Sequence, residues 1–308
     1  MRKIMLMLLI AFSALIIAGC SGFGVDEDDR KGSFEQSYDA LVDESRIVPS
    51  DGSGPFSVMV VTDAHFGRSA RDSGVFEKYN EIQSWYESHK AEIDYTISLG
   101  DATDDSLEAE YVQSKAFLDS ISNGMFLAVP GNHDVRDGGR QRYSQIYGRP
   151  QYFRIVLHGI SFYFLDNANR TLGFKQLSQL EKAMENDGNR KVVITHYPVY
   201  PTLEVVYGAM SDSVEVSKLV DLFTSNNTSL VLTGHYHRKN ITSHYSSSCT
   251  ELVLRPCHGR KAGYIDTTPA SWFLFDFDPD AGMCKVTWYY LEEGQSIPSS
   301  EVWGTFSL

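Results

Sequence analysis

Residues 56–65, Phe56-Ser57-Val58-Met59-Val60-Val61-Thr62-Asp63-Ala64-His65, decide how this chain is read. A continuous apolar run of this length is what a strand buried on both faces shows. It ends in an aspartate and a histidine two residues apart, where a loop leaving the sheet can turn both side chains toward one point. The same arrangement returns along the sequence. Gly100-Asp101 follows Ile93–Leu99, Gly131-Asn132-His133-Asp134 follows Met125–Val129, His196 follows Lys191–Thr195, and Gly234-His235-Tyr236-His237 follows Leu230–Thr233. Five of the nine histidines fall in these five stretches, so strand-end loops are expected to converge on one site.

Between these strands the period changes. Gly74–His89 carries Val75, Tyr79, Ile82 and Tyr86 at helical spacing, and Ser106–Ile121, Lys175–Met184 and Val214–Phe223 also read as helices. Gln151–Leu157 and Ile160–Leu165 flank His158-Gly159 as a hairpin. After His237 the chain is β-rich, with strands expected at Ile241–Tyr245, Glu251–Leu254, Trp272–Phe277 and Lys285–Leu291. There is no internal repeat and no second boundary, which predicts one α/β domain with mixed sheets over residues 55–308.

The chain has 308 residues, is 42% apolar and carries a formal charge of −13. That is enough apolar matter for a sizeable core. So acidic a surface is a poor partner for nucleic acid, and a DNA-cleaving role is disfavoured. An anionic substrate would require local positive charge such as a metal ion. At the N-terminus, Met1-Arg2-Lys3 precedes an apolar stretch, Ile4–Ala18, too short to span a bilayer comfortably. It ends in Ile17-Ala18-Gly19-Cys20-Ser21, which resembles a bacterial lipobox. Residues 1–19 are therefore expected to be a signal peptide, with lipid on Cys20 holding the protein to a membrane of the cell envelope. Ser21 favours the outer membrane, because aspartate there is the usual inner-membrane retention signal. Cleavage removes Arg2 and Lys3 and no acid, leaving 25 basic against 40 acidic residues, or −15.

Residues 20–54 read as an acidic, Gly/Ser-rich tether centred on Asp26-Glu27-Asp28-Asp29, with room for a short helix at Phe34–Val42. The acid run lacks the glycine and closing glutamate of a calcium loop. Cys249, Cys257 and Cys284 have no zinc-binding spacing. They are either buried thiols or include one disulfide, for which Cys249 and Cys257 are nearest in sequence.

The chemistry is narrowed first by what is missing: no Gly-x-Ser-x-Gly elbow, no Walker loop and no His-Glu-x-x-His is present. What is present is two carboxylates, one amide and four imidazoles without thiolate, a set that suits Mn, Fe or Zn and is large enough for two ions sharing a ligand. In order and spacing the five stretches resemble the calcineurin-like metallophosphoesterase superfamily. The resemblance implies a four-layer α/β/β/α sandwich, with two mixed β-sheets flanked by helices. It implies Asp63, His65 and His237 on one divalent metal ion, Asn132, His196 and His235 on a second, and Asp101 bridging them. His133 would face the phosphate, steered by Asp134. In the purple acid phosphatases of that superfamily a tyrosine stands where this chain has Asp104, so a tyrosinate-bound ferric ion is not expected, and Asp104 reads as a helix cap.

The expected activity is hydrolysis of a small phosphomonoester by a hydroxide activated between two metals, with protonated His133 as acid to the leaving group. The alternatives are a phosphodiester such as a cyclic nucleotide and, from another class, a non-catalytic surface-binding lipoprotein. Selectivity is assigned to loops 66–74, 136–150 and 197–212, with Tyr197-Pro198-Val199-Tyr200-Pro201 as a possible substrate wall. Arg68 and Arg136 lie close enough to the motifs to meet a distal phosphate. His89, His158, His244 and His258 read as ordinary. Oligomeric state is not legible.

Overall fold

The structure, a computed structural model, describes residues 40–44, 52–202, 205, 208–263 and 267–308. The signal peptide, Cys20 and the acidic run at Asp26 lie outside those residues. Within the stretch expected as a tether, Val42–Asp43 form a short strand, β1, paired in parallel with Phe153–Arg154. That part of it belongs to a sheet.

The decisive run becomes strand β2 (Phe56–Val61). Strand β3 (Val75–Phe76) pairs apart from the main sheets, with β12 (Gly259–Arg260). β4 (Tyr95–Ser98) and β5 (Phe126–Ala128) lie parallel to β2, and β13 (Ala270–Asp278), β14 (Met283–Leu291) and β15 (Ser299–Ser307) complete a sheet in the order β15-β14-β13-β2-β4-β5. The second sheet uses β6 (Phe153–Leu157), β7 (Ile160–Phe164), β8 (Arg190–Ile194), β9 (Thr228–Thr233), β10 (Ile241–His244) and β11 (Thr250–Val253), in the order β1-β6-β7-β8-β9-β11-β10. Strands β7, β8, β9 and β11 run parallel.

The period of two in each strand sorts its side chains between layers. Val58 and Val60 point with Ile97 and Leu127 into a cluster shared with Phe162, Phe164, Val192, Ile194, Leu230 and Leu232 of the other sheet. Met59 and Val61, on the opposite pleat, meet Trp85, Tyr111, Phe117 and Tyr143 from helices α1 (Tyr79–His89), α2 (Glu108–Ser120) and α3 (Gly139–Tyr147). Val193 and Val231 meet Leu177, Leu180, Leu219 and Phe223 from α4 (Gly173–Glu185) and α5 (Ser213–Ser225). The order is helices, sheet, sheet, helices, the expected α/β/β/α sandwich. Each Val, Ile or Phe buried between the sheets contributes roughly 1.5–3 kcal/mol over its exposed state, so the sheet-to-sheet core fixes the frame on which the strand-end loops sit.

Three local expectations change. The helix expected from Gly74 starts at Tyr79, because Val75–Phe76 are taken by β3. Helix α3 and strand β15 were not legible as elements. Cys249 lies under α4 and α5 while Cys257 lies under the helices of the other face. Both are free buried thiols, as is Cys284, so the pairing suggested by sequence proximity does not form.

Candidate metal centre

All five motif stretches leave the C-terminal ends of parallel strands: β2, β4 and β5 in one sheet, β8 and β9 in the other. Leaving so abruptly needs unusual backbone. Asp63, His65, Asp101, His235 and His237 all have φ between 50° and 66°, a left-handed conformation that costs a non-glycine residue roughly 1–2 kcal/mol. The loops then touch. A methyl group at Gly131 would collide with the Asp101 carboxylate, and one at Gly234 with Thr62 and the Asp63 carboxylate. Asp63 N–H donates to Gly100 O and His65 N–H to Asp101 O, both at 2.9 Å.

The donor atoms gather in two groups. In the first, His237 Nε2 is 2.8 Å from Asp63 Oδ1 and 3.2 Å from His65 Nε2. Asp101 Oδ2 lies 3.5 Å from His65 Nε2. In the second, His196 Nε2 is 3.2 Å from the same Asp101 Oδ2 and 3.3 Å from His235 Nδ1. Asp101 thus belongs to both groups. Imidazole nitrogens facing each other at such distances gain little from one another, but donors about 3 Å apart are what one ion at about 2.1 Å from each would impose. Asn132 Oδ1 is buried and accepts no hydrogen bond from any described residue. A bare amide oxygen inside a protein costs roughly 1–3 kcal/mol unless something positive takes its lone pairs. The residues present fit divalent cations.

Further contacts hold these donors. His196 Nδ1 donates to Leu99 O at 2.9 Å, across the two sheets, which leaves Nε2 for the cluster. His65 Nδ1 faces Asp104 Oδ1 at 3.1 Å. The first two contacts set tautomer and ring orientation. The main-chain N–H of His235 donates to Asp63 Oδ2 at 3.0 Å and orients that carboxylate. Burial lowers the basicity of His196, but the Asp101 carboxylate beside it outweighs this and lifts it to about 9. Burial, then the His196 charge, push His235 down to about 3. Burial would raise Asp63, yet His237 holds it at about 2.

His133 and Asp134 sit differently from expectation. The Asp134 carboxylate does not reach the His133 ring. It accepts Gly131 N–H and Thr103 N–H at 2.9 Å and the Thr103 hydroxyl at 2.8 Å, tying the 101–103 and 131–134 loops together. Burial and the Asp101 charge raise it to about 6. His133 Nδ1 donates instead to the main-chain oxygen of Asp104 at 2.6 Å, and its Nε2 faces Arg136 Nη2 at 3.1 Å.

Two residues gain importance. Asp104 is no helix cap: its carboxylate backs His65 and is paired with Arg71. His258, which read as ordinary, is buried with Nδ1 donating to Asp63 O at 2.7 Å, its ring set edgewise against His65 and His237. It stands beyond β11, a sixth strand end. The only sequence signal for it was the apolar run Glu251–Leu254 just before. Tyr197 is buried with its ring 3.9 Å from that of His235, so it packs on the site, and Tyr200 is the exposed aromatic of that loop. Arg68 reaches only to 3.9 Å of Asp104 Oδ1. His89, His158 and His244 lie away from the clusters.

Residues 56–239 match the family model described as calcineurin-like phosphoesterase. A curated relative from Fibrobacter succinogenes, named a probable cyclic nucleotide phosphodiesterase, is 25% identical over 190 residues, covering 58% of this chain and 71% of its own. Among solved structures, the purple acid phosphatase PPD1 from yellow lupin seeds superposes with a TM-score of 0.59 at 11% identity, over 83% of this chain and 54% of that one. The chain thus spans about half the length of the lupin protein. GAP50 of Plasmodium superposes with a TM-score of 0.54 at 12% identity, over 81% of this chain and 89% of that one. At such identities these two structures speak for the fold.

Proposed function

The chain belongs to the calcineurin-like phosphoesterase family, and on that premise we propose that it hydrolyses a small phosphoric ester at two divalent cations sharing Asp101. The observation that carries the reading is the convergence of six carboxylate and imidazole donors, from four strand ends of two sheets, with Asp101 common to both groups, together with the buried, unpartnered amide oxygen of Asn132 after a fifth strand. Asp63, His65 and His237 would hold one ion and Asn132, His196 and His235 the other, with Mn, Fe or Zn suited to the donor set. Bound cations would polarise the phosphoryl oxygens and bring the pKa of water toward about 7.

The chain's own residues do the rest. Asp101 is kept ionised against its burial chiefly by the charge and hydrogen bond of His196, so it can serve both ions at neutral pH. Leu99 O and Asp104 fix the rings of His196 and His65. With Nδ1 committed to Asp104 O and Nε2 facing Arg136, His133 holds an acceptor, not an acid, in this arrangement. A leaving oxygen would then take its proton from water.

A phosphomonoester is the first reading, since two cations and a guanidinium favour a dianion. A cyclic nucleotide diester is the second, supported by the Fibrobacter relative. Metal-stripped protein assayed on para-nitrophenyl phosphate and on bis-para-nitrophenyl phosphate, with Mn, Zn, Fe(II) or Mg restored in turn, separates them. Turnover that returns with metal and is absent in Asp101→Ala supports the enzyme. Two bound metals with silence on both esters would favour the non-catalytic binding protein. We also propose lipid attachment at Cys20, which a Cys20→Ala variant tests: the protein should move from the membrane fraction to the soluble one.

A further inference from the structure

We propose that Arg136 is a catalytic residue that grips the non-bridging oxygens of the phosphoryl group, and that His133 serves as its acceptor and guide. The inference rests on the metallophosphoesterase reading above and deepens it. His133 Nδ1 donates to Asp104 O at 2.6 Å. A carbonyl can only accept, so Nδ1 carries the proton and Nε2 is left with a lone pair. That lone pair accepts a hydrogen bond from Arg136 Nη2 at 3.1 Å. The His133 ring centroid is 4.5 Å from that of His65, and the guanidinium therefore stands one imidazole away from the donor cluster.

Arg136 is also anchored from behind. Nη1 donates to Asp104 O at 3.1 Å and to Asp105 Oδ1 at 3.2 Å, and its main-chain N–H is held by Ser106 Oγ at 3.0 Å. With the bond to His133, the side-chain contacts use three of its five N–H groups. The second Nη2 proton and the Nε proton have no acceptor among the described residues, and the side chain is 33% exposed, so a ligand can reach them. The neighbouring guanidiniums offer less. Arg71 is spent on Asp104, Asp105 and Glu110, and Arg68 turns its Nε toward Asp104 Oδ1 at 3.9 Å while its Nη1 is buried without a partner. A planar donor pair beside a cation cluster matches two oxygens of a phosphoryl group. Delivered at fixed geometry, it would stabilise charge that builds on those oxygens.

The test compares metal-loaded unsubstituted protein with Arg136→Ala and Arg136→Lys. Inorganic phosphate is the binding probe, read by calorimetry, and para-nitrophenyl phosphate is the kinetic one. Arg136→Ala should keep its metal content and thermal midpoint, bind phosphate roughly 10–100-fold more weakly, and lose about 100-fold in kcat/KM. Millimolar guanidinium should restore part of that loss, which a merely structural role would not allow. Arg136→Lys should recover charge but not the paired donors, and fall between. A folded, metal-loaded Arg136→Ala with unchanged phosphate affinity and turnover overturns the proposal alone. Unsubstituted protein that binds no metal and cleaves no ester overturns the metallophosphoesterase reading and this proposal with it.

Discussion

The two donor groups share Asp101 yet are built from unlike materials. The first contributes a second carboxylate, Asp63, and its His65 is backed by the carboxylate of Asp104. The second has only neutral donors besides Asp101, and its His196 is backed by a main-chain carbonyl, Leu99 O. A carboxylate behind an imidazole makes it the better ligand, and a second formal charge deepens the well for a cation. The first position should therefore hold its ion tightly and the second should exchange it.

Removing the carboxylate that the two groups share should have the greatest effect. Asp101→Ala should lower turnover at least about a thousandfold and reduce bound metal, measured by elemental analysis beside kinetics. Two ions retained at full affinity would mean that Asp101 is not shared. Next, Asp63→Asn should weaken the tighter of two binding phases by about 100-fold, while Asn132→Ala should weaken the looser by about tenfold. Titration with a chromophoric chelator reads both, and equal losses in both phases would erase the asymmetry. Asp104→Asn should cost the tight phase about tenfold through His65, with the loose phase untouched.

The smallest effect on the site comes from Glu251 of β11, which accepts Val199 N–H at 2.7 Å and Tyr200 N–H at 3.3 Å behind the His196 loop. Burial lifts its carboxyl to about 7. An acid whose folded value is raised stabilises the fold below its ordinary value near 4.5 and loses that contribution as pH rises through about 7. Glu251→Gln should therefore gain on the parent by roughly 1–3 kcal/mol between pH 5 and pH 8. Thermal unfolding of the ion-free proteins checks this, and parallel pH profiles would refute it.

The layers and the ligand-bearing loops were legible because both depend on local pattern. Phe56–Val61 alternates between two buried faces, and each motif follows such a run within a few residues. What escaped was long-range or weakly patterned. Helix α3 starts at glycine and its first half, Gly139–Arg142, offers no apolar face. Strand β15 is mostly exposed along one edge, so hydrophobic alternation is faint. His258 meets Asp63 from 195 positions away, a contact that the apolar run Glu251–Leu254 before it does not specify. Sequence adjacency pairs Asp134 with His133, whereas the fold turns it toward Thr103 and Gly131. Sequence adjacency named the donors, while the groups that orient them were chosen by the packing of distant strand ends.

Donors drawn from both sheets also make cation binding and sheet docking one equilibrium. Asp63, His65 and Asp101 ride on one sheet, His196, His235 and His237 on the other, so an ion held among them is a cross-link whose strength is set by its concentration outside. By mass action, each tenfold rise in free cation above the dissociation constant adds about 1.4 kcal/mol to the closed sandwich. The melting temperature of this protein should then report the metal supply around it.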